Sequence, residues 1–531
     1  MQFRSRLAAT VVAAALHGAC AGSSQPAPPP ATPAAPQSPA AQGPSAPRDL
    51  LPPSPAGVPE APPTCQAFAA PPAPKPCDDA QALPALDRAL QIEAPEARDT
   101  ELSALESCPS FPAGLMRALR AELLPAACAD VIVGALPASE RERLSPEVRD
   151  VLIGLGLGAR LTRLAAAPPR PSLPIDKRRF QEFLRDRLAP WMQLQAHAIH
   201  QTALSGAALH GYGRAIAAVE SGLADMRFVQ VVRDVPLPQE LDDDAELRET
   251  YFATLDEVLE PRKARGRDAA LVGLRTFAAQ GAIADPRVER ARRLLTALYS
   301  GSLIDALDGL ILDDLPPAPT ATLEQRLAAR LPVFYSGLLL QGQDARDAGL
   351  LRALLERGVP APLEDRLRNA PLSPAAAHSY GRFLVELGRT YWLAERFVQA
   401  RSVLAPLADV PAAALTSAVA AALANGPESA TALMARGPLA AGANVSTTAL
   451  DALVTERHPL AGAAAFNAAY LLSVLPREDA DAAHWSRIAA RFRTAAELLD
   501  APDRKRDALD RANAADQTAK ALSSPAPSKA P

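Results

Sequence analysis

The residues of this chain best equipped for chemistry are a glutamate, three histidines and five cysteines. Glu220 lies with Ser221 inside the run Ala217-Ala218-Val219-Glu220-Ser221-Gly222-Leu223, and a carboxyl so placed is a candidate general acid or base. His197 and His200 stand one helical turn apart, with His210 further along the same helical region. An i, i+3 pair of imidazoles can offer two nitrogens to Zn²⁺ or Cu²⁺. No carboxylate partner stands near them in sequence, so they read as ordinary helix histidines and no metal or other cofactor is expected. Cys20 stands apart from Cys65, Cys77, Cys108 and Cys128, which form an even set early in the chain with no C-x-x-C spacing. That pattern argues for disulfides over redox, haem or zinc chemistry. Pairing Cys65 with Cys77 and Cys108 with Cys128 closes the short local loops and is the expected connectivity.

Two of these features resemble known signatures. Ala217 to Leu223 is similar to the Glu-Ser signature of lytic transglycosylases, which implies a peptidoglycan-acting enzyme with Glu220 as its acid/base. The Gly-Leu-Met-Gln-like stretch that completes such sites is missing downstream, and Arg227 to Asp234 leads into a Pro-rich turn. The pair therefore reads as a helix surface feature, and no catalytic residue is assigned. At the N-terminus Arg4 and Arg6 precede the apolar run Leu7 to Leu16, about ten residues where a bilayer span needs roughly 20. Gly18-Ala19-Cys20 resembles the end of a bacterial lipobox, which implies lipidation at Cys20 and, without an aspartate just after it, an outer-membrane address. His17 departs from the lipobox pattern, so soluble periplasmic or secreted export after cleavage is the alternative.

Further along, Gly154, Gly156 and Gly158 have the look of a dinucleotide loop, with Asp176 as a ribose-binding acid. They fall inside a helix that opens at Ser145-Pro146 rather than after a strand, so close helix contact through small residues is expected. Asp242-Asp243-Asp244 and the basic run Arg262, Lys263, Arg265, Arg267 read as solvated faces.

These side chains need elements to carry them, and composition says which kind. Of 531 residues 48% are apolar but only 4% aromatic, so the interior must be built of Ala and Leu, which suits close helix packing. A net charge of −4 supplies no field for nucleic acid. Residues 26–76 hold 19 of the 53 prolines and read as part of a disordered Pro/Ala-rich tether spanning residues 21–77. Residues 21–64 at about 3.1 Å each would reach on the order of 130 Å. From Ala80 apolar residues recur at helical spacing, cut by Pro and Gly, and Ser145-Pro146 and Ser373-Pro374 are explicit helix starts. About 18 helices are expected. Phe228 to Val232 is the nearest approach to a strand and reads as helix.

Within residues 381–411, Leu384, Leu387, Gly388, Tyr391, Phe397, Ala400, Leu404 and Pro411 fall at spacings that resemble one tetratricopeptide repeat. The resemblance implies Gly388 facing Ala400 across a helical hairpin, with Tyr391 and Phe397 buried beside them. It also implies an all-α solenoid of antiparallel hairpins over residues 321–500. Leu331 to Arg357, Ala412 to Arg436 and Phe466 to Leu499 read as degenerate hairpins. The expected organisation is an export signal to residue 20, the tether, a motif-free helical domain over 78–320, the repeats, and a charged helix with a frayed tail over 501–531. The expected function is a non-enzymatic protein-interaction scaffold holding an unknown protein or peptide, touching the membrane through a lipid anchor only and binding no nucleic acid. The alternatives are the enzyme built on Glu220 and metal binding by His197 and His200.

Overall fold

The computed structural model describes residues 49–68, 77–172, 175–299, 304–314, 317–318, 320–342, 345–369, 371–426, 445–475 and 479–523. Cys20 and the expected export signal lie outside them. Among the described residues every regular element is helical, with 23 α-helices and no strand. The excess over the sequence count comes partly from one-turn helices too short to show a period, such as Ala138–Arg141 and Gln239–Asp242. The chain divides into two compact units, Met1–Gly273 and Leu274–Pro531.

The first unit contains α1 (Ala82–Leu90), α2 (Pro95–Ala104), α3 (Leu115–Leu123), α4 (Ala129–Gly134), α5 (Ala138–Arg141) and α6 (Pro146–Arg163). It continues with α7 (Lys177–Phe183), α8 (Ala189–Ala207), α9 (Gly211–Arg233), α10 (Gln239–Asp242) and most of α11 (Ala245–Ala279). Ser145 caps α6 by accepting from the Val148 N–H, as the Ser-Pro start requires. α9 is buried on nearly every side, the pattern of a central helix. It meets α6 where Gly154 lies against Gly213, and it meets α11 where a Cβ on Gly222 would fall 2.6 Å from the Gly266 carbonyl oxygen. Only glycine permits that approach. Phe228 to Val232 belongs to α9, and the few aromatics concentrate here, with Trp191 stacked on Phe228 at 5.7 Å and Phe180 near Tyr251 at 6.4 Å.

The tether expectation needs correction over residues 49–68, which are docked on the first unit. Leu51 is buried against Gly156. Arg160 donates to the Pro52 carbonyl at 2.7 Å, Arg163 to that of Pro59 at 2.9 Å and Gln195 to that of Gly57 at 2.8 Å. Proline-rich chain without its own helical ladder still offers carbonyls, and the arginines of α6 take them. The local disulfide pairing is also overturned: Cys65 bonds Cys128 and Cys77 bonds Cys108, across 63 and 31 residues. The docked segment brings Cys65 to the start of α4, a proximity that sequence distance does not record.

The second unit contains α12 (Pro286–Leu298), α13 (Leu323–Arg330), α14 (Val333–Leu339), α15 (Ala345–Leu354), α16 (Ala361–Arg368) and α17 (Pro374–Tyr391). It ends with α18 (Ala394–Leu404), α19 (Pro411–Leu423), α20 (Thr448–Thr455), α21 (Ala461–Val474), α22 (Ala482–Leu498) and α23 (Pro502–Ser523). From α17 onward successive helices pack on one another, and α13, α15, α17, α19 and α21 also touch in turn, forming a continuous row. Two buried charges fasten neighbours. Arg352 of α15, wholly buried, donates to the carbonyls of Ala328 at 2.7 Å, Leu331 at 2.8 Å and Gly358 at 2.6 Å. Glu364 of α16 accepts from Tyr380 of α17 at 3.1 Å and Arg396 of α18 at 2.8 Å. That burial and the nearby Glu364 charge push the Tyr380 phenol up to about 12.

In the α17–α18 hairpin Leu384, Leu387, Tyr391, Phe397, Ala400 and Leu404 are all buried. The expected facing pair is revised, because a Cβ on Gly388 would meet the Phe397 ring at 2.7 Å. The aromatic ring, rather than Ala400, fills the space that the missing side chain leaves. Trp392 adopts a left-handed backbone at the hairpin turn, and its indole N–H donates to the Ile304 carbonyl at 2.8 Å.

Candidate functional site

The residues singled out by sequence fall in three different settings. Glu220 is not on a surface: it is 2% exposed, packed against Gly158 and accepting a hydrogen bond from Thr162 at 3.2 Å. α6 crosses α9 there, and that crossing is invisible in a seven-residue motif. His197 and His200 are exposed on α8. His210 does not continue their helix, since it stands at the extended residue just before α9 and pairs with Asp150 of α6 at 3.2 Å. Among the described residues no group of three or more His, Cys, Asp or Glu is arranged to hold a metal ion.

The opposite charge runs also separate. Asp244 caps α11 by accepting from the Glu246 and Leu247 N–H groups, both at 3.1 Å. Arg262 is no solvated face: it is buried, binds the buried Asp225 at 2.7 Å and lies 4.5 Å over the Phe228 ring, while the exposed Arg265 reaches the same carboxylate at 2.7 Å. The glycines of α6 serve packing, as expected.

The arrangement with the most unspent polar chemistry lies in the second unit, on α17 and α21. Arg382, Glu386 and Arg389 sit at i, i+4 and i+7 of α17, hence on one face. Across from them runs the segment 304–314, irregular from Leu310 onward. It is held by side chains aimed at its backbone. The wholly buried Asn467 of α21 donates to the Ile311 carbonyl at 2.7 Å and accepts from the Ile311 N–H at 2.7 Å. Arg382 donates to the Asp313 carbonyl, Arg389 to that of Leu307 at 3.5 Å and Trp392 to that of Ile304 at 2.8 Å. Tyr470 presses its ring on Gly309, where any Cβ would collide with it.

Beside this segment is a pocket of about 370 Å³, lined by residues that include Arg382, Glu386, Arg389, Phe466, Arg504 and Asp507. Glu386 is 3% exposed. One of its oxygens accepts from Arg389, while Oε1 has no hydrogen-bond partner among the described residues. Burial raises the Glu386 carboxyl from its ordinary 4.5 to about 7, with the Glu356 charge adding to the rise and Arg389 and Arg382 opposing it. Arg382 is raised because its bond to Glu356 at 2.8 Å and the charges of Asp313 and Glu386 outweigh its burial. Sequence reasoning passed over Glu386. The available signal was one acidic residue inside Phe383-Leu384-Val385-Glu386-Leu387-Gly388, a charge on a buried face that needs a partner.

Comparison with protein-family models, with curated proteins and with solved structures gives no significant match.

Proposed function

We propose that this chain is an exported, outer-membrane-anchored scaffold whose helical hairpins form a tetratricopeptide-like solenoid and hold a protein or peptide partner. The observation that carries the reading is the packing order of the second unit, in which α13, α15, α17, α19 and α21 make one row and successive helices pack pairwise against it. Repeats stacked so that each meets chiefly its neighbours generate extended binding faces without supplying catalytic groups. Two disulfides agree with an oxidising compartment outside the cytosol. No described helix is long and apolar enough to cross a membrane; the anchor proposed here is Cys20, on the strength of Gly18-Ala19-Cys20. The enzymatic alternative gains nothing from Glu220, which is enclosed between α6 and α9.

Crosslinking in intact cells followed by purification of the full chain tests the scaffold reading. One recurrent partner in near-stoichiometric yield is the expected result. Release of muropeptides from sacculi by the purified protein, lost in Glu220→Gln, would overturn it. Palmitate labelling of wild type and Cys20→Ser tests the anchor: label in the first and none in the second is expected, and equal labelling or none in either removes the lipoprotein claim.

A further inference from the structure

We infer that residues 49–65 form a releasable clasp. Tension that enters the chain ahead of Asp49 peels this segment from α6 and α8 one contact at a time and stops at the Cys65–Cys128 bond, so the helices of the first unit stay folded. The inference rests on the anchor reading for the origin of the tension, whereas the order of release rests on the fold of the first unit alone.

Three observations lead there. The first is that the contacts of the segment lie in series. From Asp49 to Thr64 only Leu51 is buried, and no helix or strand supplies a ladder. In chain order, Asp49 meets Arg141 at 3.3 Å, Leu51 fills the notch at Gly156, and Arg160 donates to the Pro52 carbonyl at 2.7 Å. Gln195 then donates to the Gly57 carbonyl at 2.8 Å, Val58 leans on the apolar core and Arg163 donates to the Pro59 carbonyl at 2.9 Å. Each contact belongs to a different residue, so a pull from the N-terminal end falls on one of them at a time. Helices packed along their length share a load among many side chains, and their backbone bonds close within each element. The segment therefore yields first.

The second is a covalent stop. Cys65 is wholly buried and bonded to Cys128 at the start of α4. Beyond Cys65 the load crosses the disulfide and bypasses the chain between the two cysteines, a separation of 63 residues that includes α1, α2 and α3. Release as far as Cys65 lengthens the chain by at most about 55 Å, the full reach of the segment.

The third is that the groups taking the carbonyls are oriented by the body rather than by the segment. Arg163 is bound to Asp130 at 2.8 and 2.7 Å, and Gln195 accepts from the Ala165 N–H at 2.9 Å. These bonds survive when the segment leaves. The donors stay aimed, and the segment reseats when tension falls.

An optical-tweezers measurement on the full chain without reductant, with handles joined to clickable residues introduced at Arg48 and Asp243, tests the inference. Asp243 is exposed and keeps the second unit out of the load path. The first event expected is a reversible lengthening of at most about 55 Å, at lower force than any later event. Leu51→Ala, a change on the segment itself, should speed release at constant force roughly tenfold, and Arg160→Ala should speed it too. Melting curves establish that both variants are folded, and if Arg160→Ala is not, Leu51→Ala alone decides. In Cys65→Ser with Cys128→Ser the stop is gone, and the first event should run past Cys65 and exceed that length. A longer first event in the oxidised wild type, no event ahead of unfolding, or an event unmoved by the folded variants overturns the clasp. Palmitate labelling decides the anchor separately. Label on Cys20 without the step removes the clasp and leaves the anchor, whereas the step in a chain that carries no lipid keeps the order of release and removes the source of tension assigned to it.

Discussion

Glu386 shows how one side chain makes a fold sensitive to pH. Its folded value near 7 lies above the ordinary 4.5 because burial penalises the charged form more than Arg389 and Arg382 favour it. The folded chain therefore keeps a proton that the unfolded chain has released, and this contribution to stability is complete below about 4.5 and lost as pH rises through about 7. Glu386→Gln should melt near wild type at pH 4 and above it at pH 8, measured by circular dichroism. Equal melting of the two proteins at both values would show that the carboxyl does not carry this burden. Asn467 makes the opposite case, a neutral group with both bonding directions satisfied by Ile311. Asn467→Leu leaves a backbone N–H and a carbonyl unpaired, each at about 1–3 kcal/mol. A melting temperature lowered by several degrees is expected, against little change for Asn→Leu at an exposed position. Neither residue was among the sequence candidates, because Asn467 acts on segment 304–314, remote in the chain from α21, and the burial of Glu386 depends on what packs over α17.

At the scale of elements, helix identity was legible because it is decided locally. Ser145-Pro146 and Ser373-Pro374 open helices with the serine oxygen on the third following N–H, at Val148 and Ala376. The buried side of the α17–α18 hairpin also follows from periodicity. The partner of Gly388 does not, since spacing says that two helices approach and not which side chain occupies the gap. With Phe397 there, Gly388→Ala places a methyl against a ring at 2.7 Å, an overpacking of about 1–3 kcal/mol. The variant should melt lower than wild type, and adding Phe397→Leu should recover part of the loss. A double variant no more stable than Gly388→Ala would mean that the ring is not the source of the crowding. Glu220 and the cysteines follow the same logic, because burial of the one and pairing of the others depend on which helix crosses which.

For each unit taken as a whole, the stabilising devices differ. The second unit fastens successive helices through buried polar hubs at Arg352 and Glu364, whereas the first depends on a strap. Residues 49–68 have one short 3-10 helix, Pro63–Phe68, and otherwise no ladder of their own. They are kept in place by Arg160, Arg163 and Gln195 and by the Cys65–Cys128 bond. Arg120 adds a donor to the Phe68 carbonyl at 3.1 Å while bound to Asp99 at 2.8 Å. A disulfide closing a loop of this length stabilises by typically about 2–4 kcal/mol, chiefly by restricting the unfolded chain. Yet the polar contacts to the strap carbonyls do not involve sulfur, and they are expected to outlast the loss of the Cys65–Cys128 bond. Two effects are therefore separable. The pair Cys65→Ser with Cys128→Ser, which leaves the Cys77–Cys108 bond in place, should lower the melting temperature of the first unit. Amide exchange should quicken most across residues 60–68, less at 49–59 where Arg160, Arg163 and Gln195 still hold, and hardly at all in the second unit. Mass-spectrometric hydrogen exchange on the intact chain reads all three regions at once. Uniform acceleration across 49–68 would mean that the disulfide alone docks the strap and that the arginine contacts follow from it.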